Sequence, residues 1–253
     1  MLPMIPRLGG MLAVMVAAGV LLIAGCEKNE NPTDPFGGVT ENDAADLMAS
    51  TLGGSQSTGG LTAQMEEVTY VVGGGPLPKL SAGAIPAGTT FDTTIVRQLT
   101  GLFSYNYTFH YSYEFTTANT LRFAYSMRGT FDVPRVSSDD SAHAVLDVSG
   151  IFSGQYLVFN GTYFRLGSQT IKVREERSLQ SETTMNLINV NVDKATRMIE
   201  SGSATISLMV VGSEGRALSY TASLTFEGNF NATMVINGRS FVINLQTGTA
   251  EPA

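Results

Sequence analysis

Residues 103–115 read FSYNYTFHYSYEF, and the fold follows from their spacing. Phe103, Tyr105, Tyr107, Phe109, Tyr111, Tyr113 and Phe115 take every second position, and Ser104, Asn106, Thr108, His110, Ser112 and Glu114 take the others. Successive side chains of a strand point to opposite faces, so this period of two defines one dry face and one wet face. That asymmetry belongs to antiparallel sheet, because parallel strands are buried on both sides.

The same period runs outward along the chain. Leu121, Phe123, Tyr125, Met127, Phe131 and Val133 oppose Arg122, Ser126, Arg128, Thr130 and Asp132, with Ala118-Asn119 as the turn before them. Leu218, Tyr220, Ala222, Leu224 and Phe226 oppose Ser219, Thr221, Ser223, Thr225 and Glu227. Phe230, Ala232, Met234 and Ile236 lead into Asn237-Gly238, a dipeptide suited to a two-residue hairpin, and Phe241, Ile243 and Leu245 return. Asn160-Gly161 reads as a second such turn. Gly129, Gly150, Gly202 and Gly228 interrupt strand patterns, which predicts bulges or sharp bends. The expectation is a mainly β domain over residues 91–248, a curved antiparallel meander or barrel-like sheet of about ten strands. A transmembrane barrel shares the alternation; the closing GTAEPA, in place of an aromatic strand, argues against it.

Two short helices are predicted within residues 42–72. Asn42 or Asp43 caps the first, whose Ala44, Leu47 and Met48 share a face, and Gly53-Gly54 stop it. Leu61, Met65, Val68 and Val72 mark the second. Both should cover an open end or edge of the sheet. Residues 73–90, GGGPLPKLSAGAIPAGTT, form a Gly/Pro-rich loop that reads as a linker or a lid. Residues 26–41 read as a flexible tether.

The chain starts MLPMIPRLGGMLAVMVAAGVLLIAGC. Arg7 precedes an apolar run from Met11 to Ile23, too short for a spanning helix of ~20 residues and suited to a cleavable signal over residues 1–25. Ile23-Ala24-Gly25-Cys26 resembles the lipobox of bacterial lipoprotein precursors. The resemblance implies cleavage before Cys26, acylation of that residue with palmitate-type chains, and a membrane partner through the acylated Cys26. Glu27 after the cysteine implies the outer membrane. Two or three acyl chains, at ~0.8 kcal/mol per buried methylene, give the stable anchoring that one chain does not.

Composition narrows the chemistry. Of 253 residues, one is Cys and none is Trp, and the formal net charge is −7. A single Cys forms no intramolecular disulfide and no thiolate cluster. The acidic balance gives no nucleic-acid surface, which needs clustered positive charge. Glu27 to Glu67 hold eight acids and one Lys, which reads as a repelling, extended stalk. His110 and His143 are the only imidazoles, and no G-x-S-x-G elbow accompanies them. Asp139-Asp140 reads as part of a solvated hairpin loop, and KVREER (172–177) as a sheet edge guarded by charge. No catalytic residue, metal site or cofactor is therefore expected.

The aromatic stripe is the remaining functional candidate. Phe103, Tyr105, Tyr107, Phe109, Tyr111, Tyr113 and Phe115 either pack a core or line a cavity for an apolar or amphipathic ligand such as a lipid. The expected function is a non-catalytic, lipid-anchored envelope protein that binds such a ligand in its concave face. The alternative is an interaction module that docks on an envelope protein.

Overall fold

A computed structural model describes residues 38–73, 86–174, 176–213 and 215–253. The signal segment, Cys26 and most of the tether and Gly/Pro-rich loop lie outside the described residues.

The domain is mainly β: one sheet of eleven strands, each antiparallel to its neighbours in chain order, preceded by two short helices. The strands are β1 (Thr90–Leu99), β2 (Ser104–Thr117), β3 (Thr120–Asp132), β4 (Val136–Ser149), β5 (Tyr156–Ile171), β6 (Arg177–Asp193), β7 (Ile199–Gly212), β8 (Ala217–Gly228), β9 (Asn231–Ile236), β10 (Arg239–Asn244) and β11 (Thr249–Pro252). The sheet is a meander that does not close: β1 and β11 are its two edges. β11 forms from the GTAEPA tail, which the alternation did not mark as a strand. Many outward positions of the long strands are Ser, Thr, Asn and charged residues, as in Ser219, Thr221, Ser223 and Thr225 of β8, with Val145, Leu166, Ile188 and Met209 as exposed apolar exceptions. A barrel in lipid turns apolar side chains outward instead.

Asn237 (φ 50°) and Gly238 (φ 85°) make the expected hairpin turn between β9 and β10. Asn160-Gly161 does not turn the chain. Both lie within β5, where the pairing register with β6 shifts between Phe159 and Gly161. Gly161 has φ 145°, and a Cβ there would stand 2.2 Å from the Val145 carbonyl oxygen, so a bulge pressed against β4 occupies the site. Gly129, Gly202 and Gly228 have the positive φ of bends within strands, and Gly150 lies in the turn after β4.

The helices are α1 (Glu41–Leu52) and α2 (Leu61–Val72). Thr40 caps α1, two positions earlier than the nearest expected cap. Its hydroxyl accepts from the Asp43 N–H (3.2 Å), while the Asp43 carboxylate accepts from the Thr40 N–H (2.9 Å), a reciprocal capping box. Every residue of α1 from Asp43 to Leu52 is buried, and the helix packs on β4, β7, β9, β10 and β11. It therefore lies against the inward face of the sheet and, as expected, covers an edge of it, the strand β11. Ser50 and Thr51 tolerate this because their hydroxyls donate to the Leu47 and Met48 carbonyls one turn back, at 2.7 and 2.6 Å. The chain leaves α1 through Gly54, whose N–H donates to the Leu245 carbonyl (2.8 Å). α2 then runs beside the first strands, with Gln64 and Glu67 against Tyr111 and Arg97.

Candidate functional site

All seven stripe residues face inward as expected, and six of them are buried; Phe103 is partly buried against the core. The rings form a continuous stack. Tyr105–Tyr107, Tyr107–Phe109 and Phe109–Tyr111 have centroids 5.5–5.6 Å apart, and Tyr111 and Tyr113 continue onto Phe123 of β3 at 5.5 and 5.1 Å. Such contacts add about 0.5–1.5 kcal/mol each beyond area burial.

The chain's own helices occupy much of this face. The Tyr105 hydroxyl donates to the Ser55 carbonyl (2.9 Å) and the Tyr111 hydroxyl to Gln64 Oε1 (2.7 Å). Burial raises the Tyr105, Tyr111 and Tyr113 hydroxyls above their ordinary range, and among the described residues the buried Tyr113 hydroxyl meets no hydrogen-bond partner. What stays open is a pocket of about 260 Å³ between the stripe and α2. Tyr105, Phe109 and Tyr111 form its aromatic wall. Gln64, Glu66 and Glu67 of α2, Arg97 of β1 and Arg197 of the β6–β7 turn supply its polar wall.

These charges are arranged in pairs. Arg97 bonds Glu67, and the Arg197 guanidinium lies over the Tyr70 ring at 4.7 Å, within reach of the Glu66 field. Burial raises the Glu66 carboxyl against the hydrogen bonding from Ser55 that lowers it. The pocket is thus amphipathic and near charge balance. Its volume lies below the ~300–1,000 Å³ of drug-sized pockets.

Tyr107, Tyr113 and Phe115 are not in the pocket lining. Tyr107 instead reaches a second centre. Its hydroxyl donates to Asp140 Oδ2 (3.1 Å), and Asp140 also bonds Arg165 and the Ser138 hydroxyl. The Asp140 and Arg165 side chains are 0% and 1% exposed. Asp140 is thus a core residue of β4, not part of a solvated loop: it shares the inward phase of Val136, Ala142, Ala144 and Leu146. Arg165 lies over the Phe131 ring at 5.1 Å, and burial works against its charge while Asp140 holds it protonated. Tyr163 beside it is pushed up to about 12 by burial. Gly167 gives the cluster its room, since a Cβ there would stand 2.2 Å from Asp140 Oδ1 and from Gln169 Nε2. The signal for this centre was present: Arg165 and Gln169 interrupt the inward phase of β5 between Tyr163 and Ile171.

A third centre holds α1. Asp43 and Asp46, 1% and 2% exposed at their side chains, bond Arg174 and Arg177, with Arg135 completing Asp46 at 2.9 Å. The acids of α1 are thus neutralised by the sheet and do not extend a stalk. Arg174 and Arg177, in the KVREER segment, are the clamp on the helix and not guards of an edge. His110 and His143 sit on the outer face, His110 against Thr94 Oγ1 (2.8 Å) and His143 against the Phe164 ring (5.0 Å). Ser126 lies between them in register, which sets their Cα atoms about 9.5 Å apart.

No family model matches this chain, and no curated protein or solved structure matches it.

Proposed function

We propose that this protein is a non-catalytic lipoprotein of the cell envelope, anchored in the outer membrane by acyl chains on Cys26, whose β domain binds a small amphipathic ligand. The pocket under α2 carries the binding part of this reading. Its aromatic wall of Tyr105, Phe109 and Tyr111 favours an apolar body, and the Arg197 and Glu66 side favours a polar head. A volume of about 260 Å³ fits a medium chain or one ring system and leaves out a whole phospholipid. The lipobox carries the anchoring part.

Two measurements test the parts separately. Cells fed labelled palmitate should label the protein, and Cys26→Ser should lose the label; an unlabelled wild type refutes the anchor. Native mass spectrometry of the detergent-purified full chain with decanoate should show one adduct. Ala63→Phe, which fills the pocket from α2, should remove it while leaving the aromatic wall in place. Absence of the adduct in the wild type refutes ligand binding at this site.

A further inference from the structure

The two edges of the sheet are built differently. β11 has four residues, contains Pro252, and is packed by α1. A short strand with a proline and a covering helix is how proteins blunt an edge against unwanted pairing. β1 has ten residues, no Pro or Lys, and pairs with β2 over all ten positions without a register shift. Among the described residues, nothing pairs with its other side. Its outward Val96 is 68% exposed.

The inward side chains of β1 have a symmetry of their own. Phe91, Ile95 and Leu99 are the half-buried positions, spaced by four and centred on Ile95. A second copy of β1 laid antiparallel across a two-fold axis at Ile95 sets Ile95 against Ile95, Phe91 against Leu99 and Leu99 against Phe91. On that face Thr93 meets Arg97, and on the outer face Asp92 meets Gln98 and Thr94 meets Val96. No like charges meet, and each half-buried apolar side chain gains an apolar neighbour. We propose that β1 is a self-pairing edge, through which two copies of this chain form a two-fold dimer with one continuous sheet. Arg97 also lines the pocket under α2, so the dimer edge adjoins that site. The proposal does not depend on what the pocket binds. A single strand pairing is a small interface, below about 1,200 Å², so the dimer exchanges in solution.

Cysteine cross-linking of the full chain in detergent, in a Cys26→Ser background, reads the register directly. Directly opposed residues have Cβ atoms about 4.5–5.5 Å apart, close enough for a disulfide after slight adjustment. Ile95→Cys should therefore oxidise to a species of doubled mass. Thr93→Cys should stay single, because its counterpart lies about 14 Å away, while Thr93→Cys mixed with Arg97→Cys should cross-link. Each variant changes a half-buried or exposed side chain, and circular dichroism checks that it folds. Ile95→Lys, which opposes two positive charges, should abolish the dimer seen by sedimentation of the Cys26→Ser chain. A monomer at all concentrations up to about 1 mM, or equal cross-linking by Ile95→Cys and Thr93→Cys, overturns the proposal.

Discussion

Two ion clusters are buried among the described residues, and they differ in where their partners come from. Asp140 and Arg165 lie on adjacent strands 25 residues apart, enclosed on all sides, and share Tyr107 of β2. Asp43 and Asp46 lie on α1 and meet arginines about 90–130 residues away, whose side chains keep 21–31% of their surface in water. The first cluster is internal to the sheet and has no alternative solvent. The second fastens a separate element and can rehydrate. Removing one member of an enclosed pair strands a charge, whereas a half-wet arginine recovers its water.

That contrast orders the expected effects. Asp140→Ala should be the most costly change, about 3–5 kcal/mol, because Arg165 is left charged and enclosed; urea unfolding followed by circular dichroism measures it. The double change Asp140→Leu with Arg165→Met should recover most of that loss, since a buried pair exchanged for apolar groups is often neutral or better. If the double variant is as unstable as the single, the stranded-charge account of the cluster fails. Gly167→Ala should cost about 1–3 kcal/mol through its collision with Asp140 and Gln169. A cost near zero would show that the cluster has slack.

Changes at the α1 clamp should be smaller. Asp46→Asn should lower stability by about 1–2 kcal/mol, and it should sharpen the comparison through pH. Burial raises the Asp46 carboxyl above 3.8, against the lowering by Arg174 and Arg135. A raised carboxyl contributes stability that is present below its unfolded value and lost as pH rises through its folded value. The gap between wild type and Asp46→Asn should therefore widen as pH falls from 7 to 4, as urea titrations at several pH values would show. Asp193, outside both clusters, should do the reverse. Its carboxylate accepts from the Thr196 and Ala195 N–H groups at 2.8 Å and from Gln155, which lowers it below 3.8, so its contribution fades only below that pH. An Asp193→Asn variant should differ from wild type above pH 4 and converge with it in stronger acid.

Legibility in the sequence followed the range of the interactions. The stripe from Phe103 to Phe115 was readable because alternation acts between next neighbours, and all seven residues face inward. Asp140 and Arg165 could have been read the same way, as polar residues at inward phase, but a doublet of aspartates resembled a loop. Asn160-Gly161 misled for a related reason: the dipeptide permits a turn or a bulge, and β4 and β6 on either side select the bulge. Nothing local marks Asp43 and Asp46 as clamped, since Arg135, Arg174 and Arg177 lie two or more elements away. The pocket was equally hidden, because it exists only where α2 fails to cover Tyr105, Phe109 and Tyr111.

By itself, the sequence determined the antiparallel β character of the domain and the faces of its strands, both of which depend on residues at most a few positions apart. The tertiary structure alone decided that the sheet stays open, that α1 packs on its inward face, and that one edge is blunted while the other is unpaired among the described residues. Those outcomes depend on how much inward surface eleven strands present and on what is left to cover it, a quantity that no short window of residues contains.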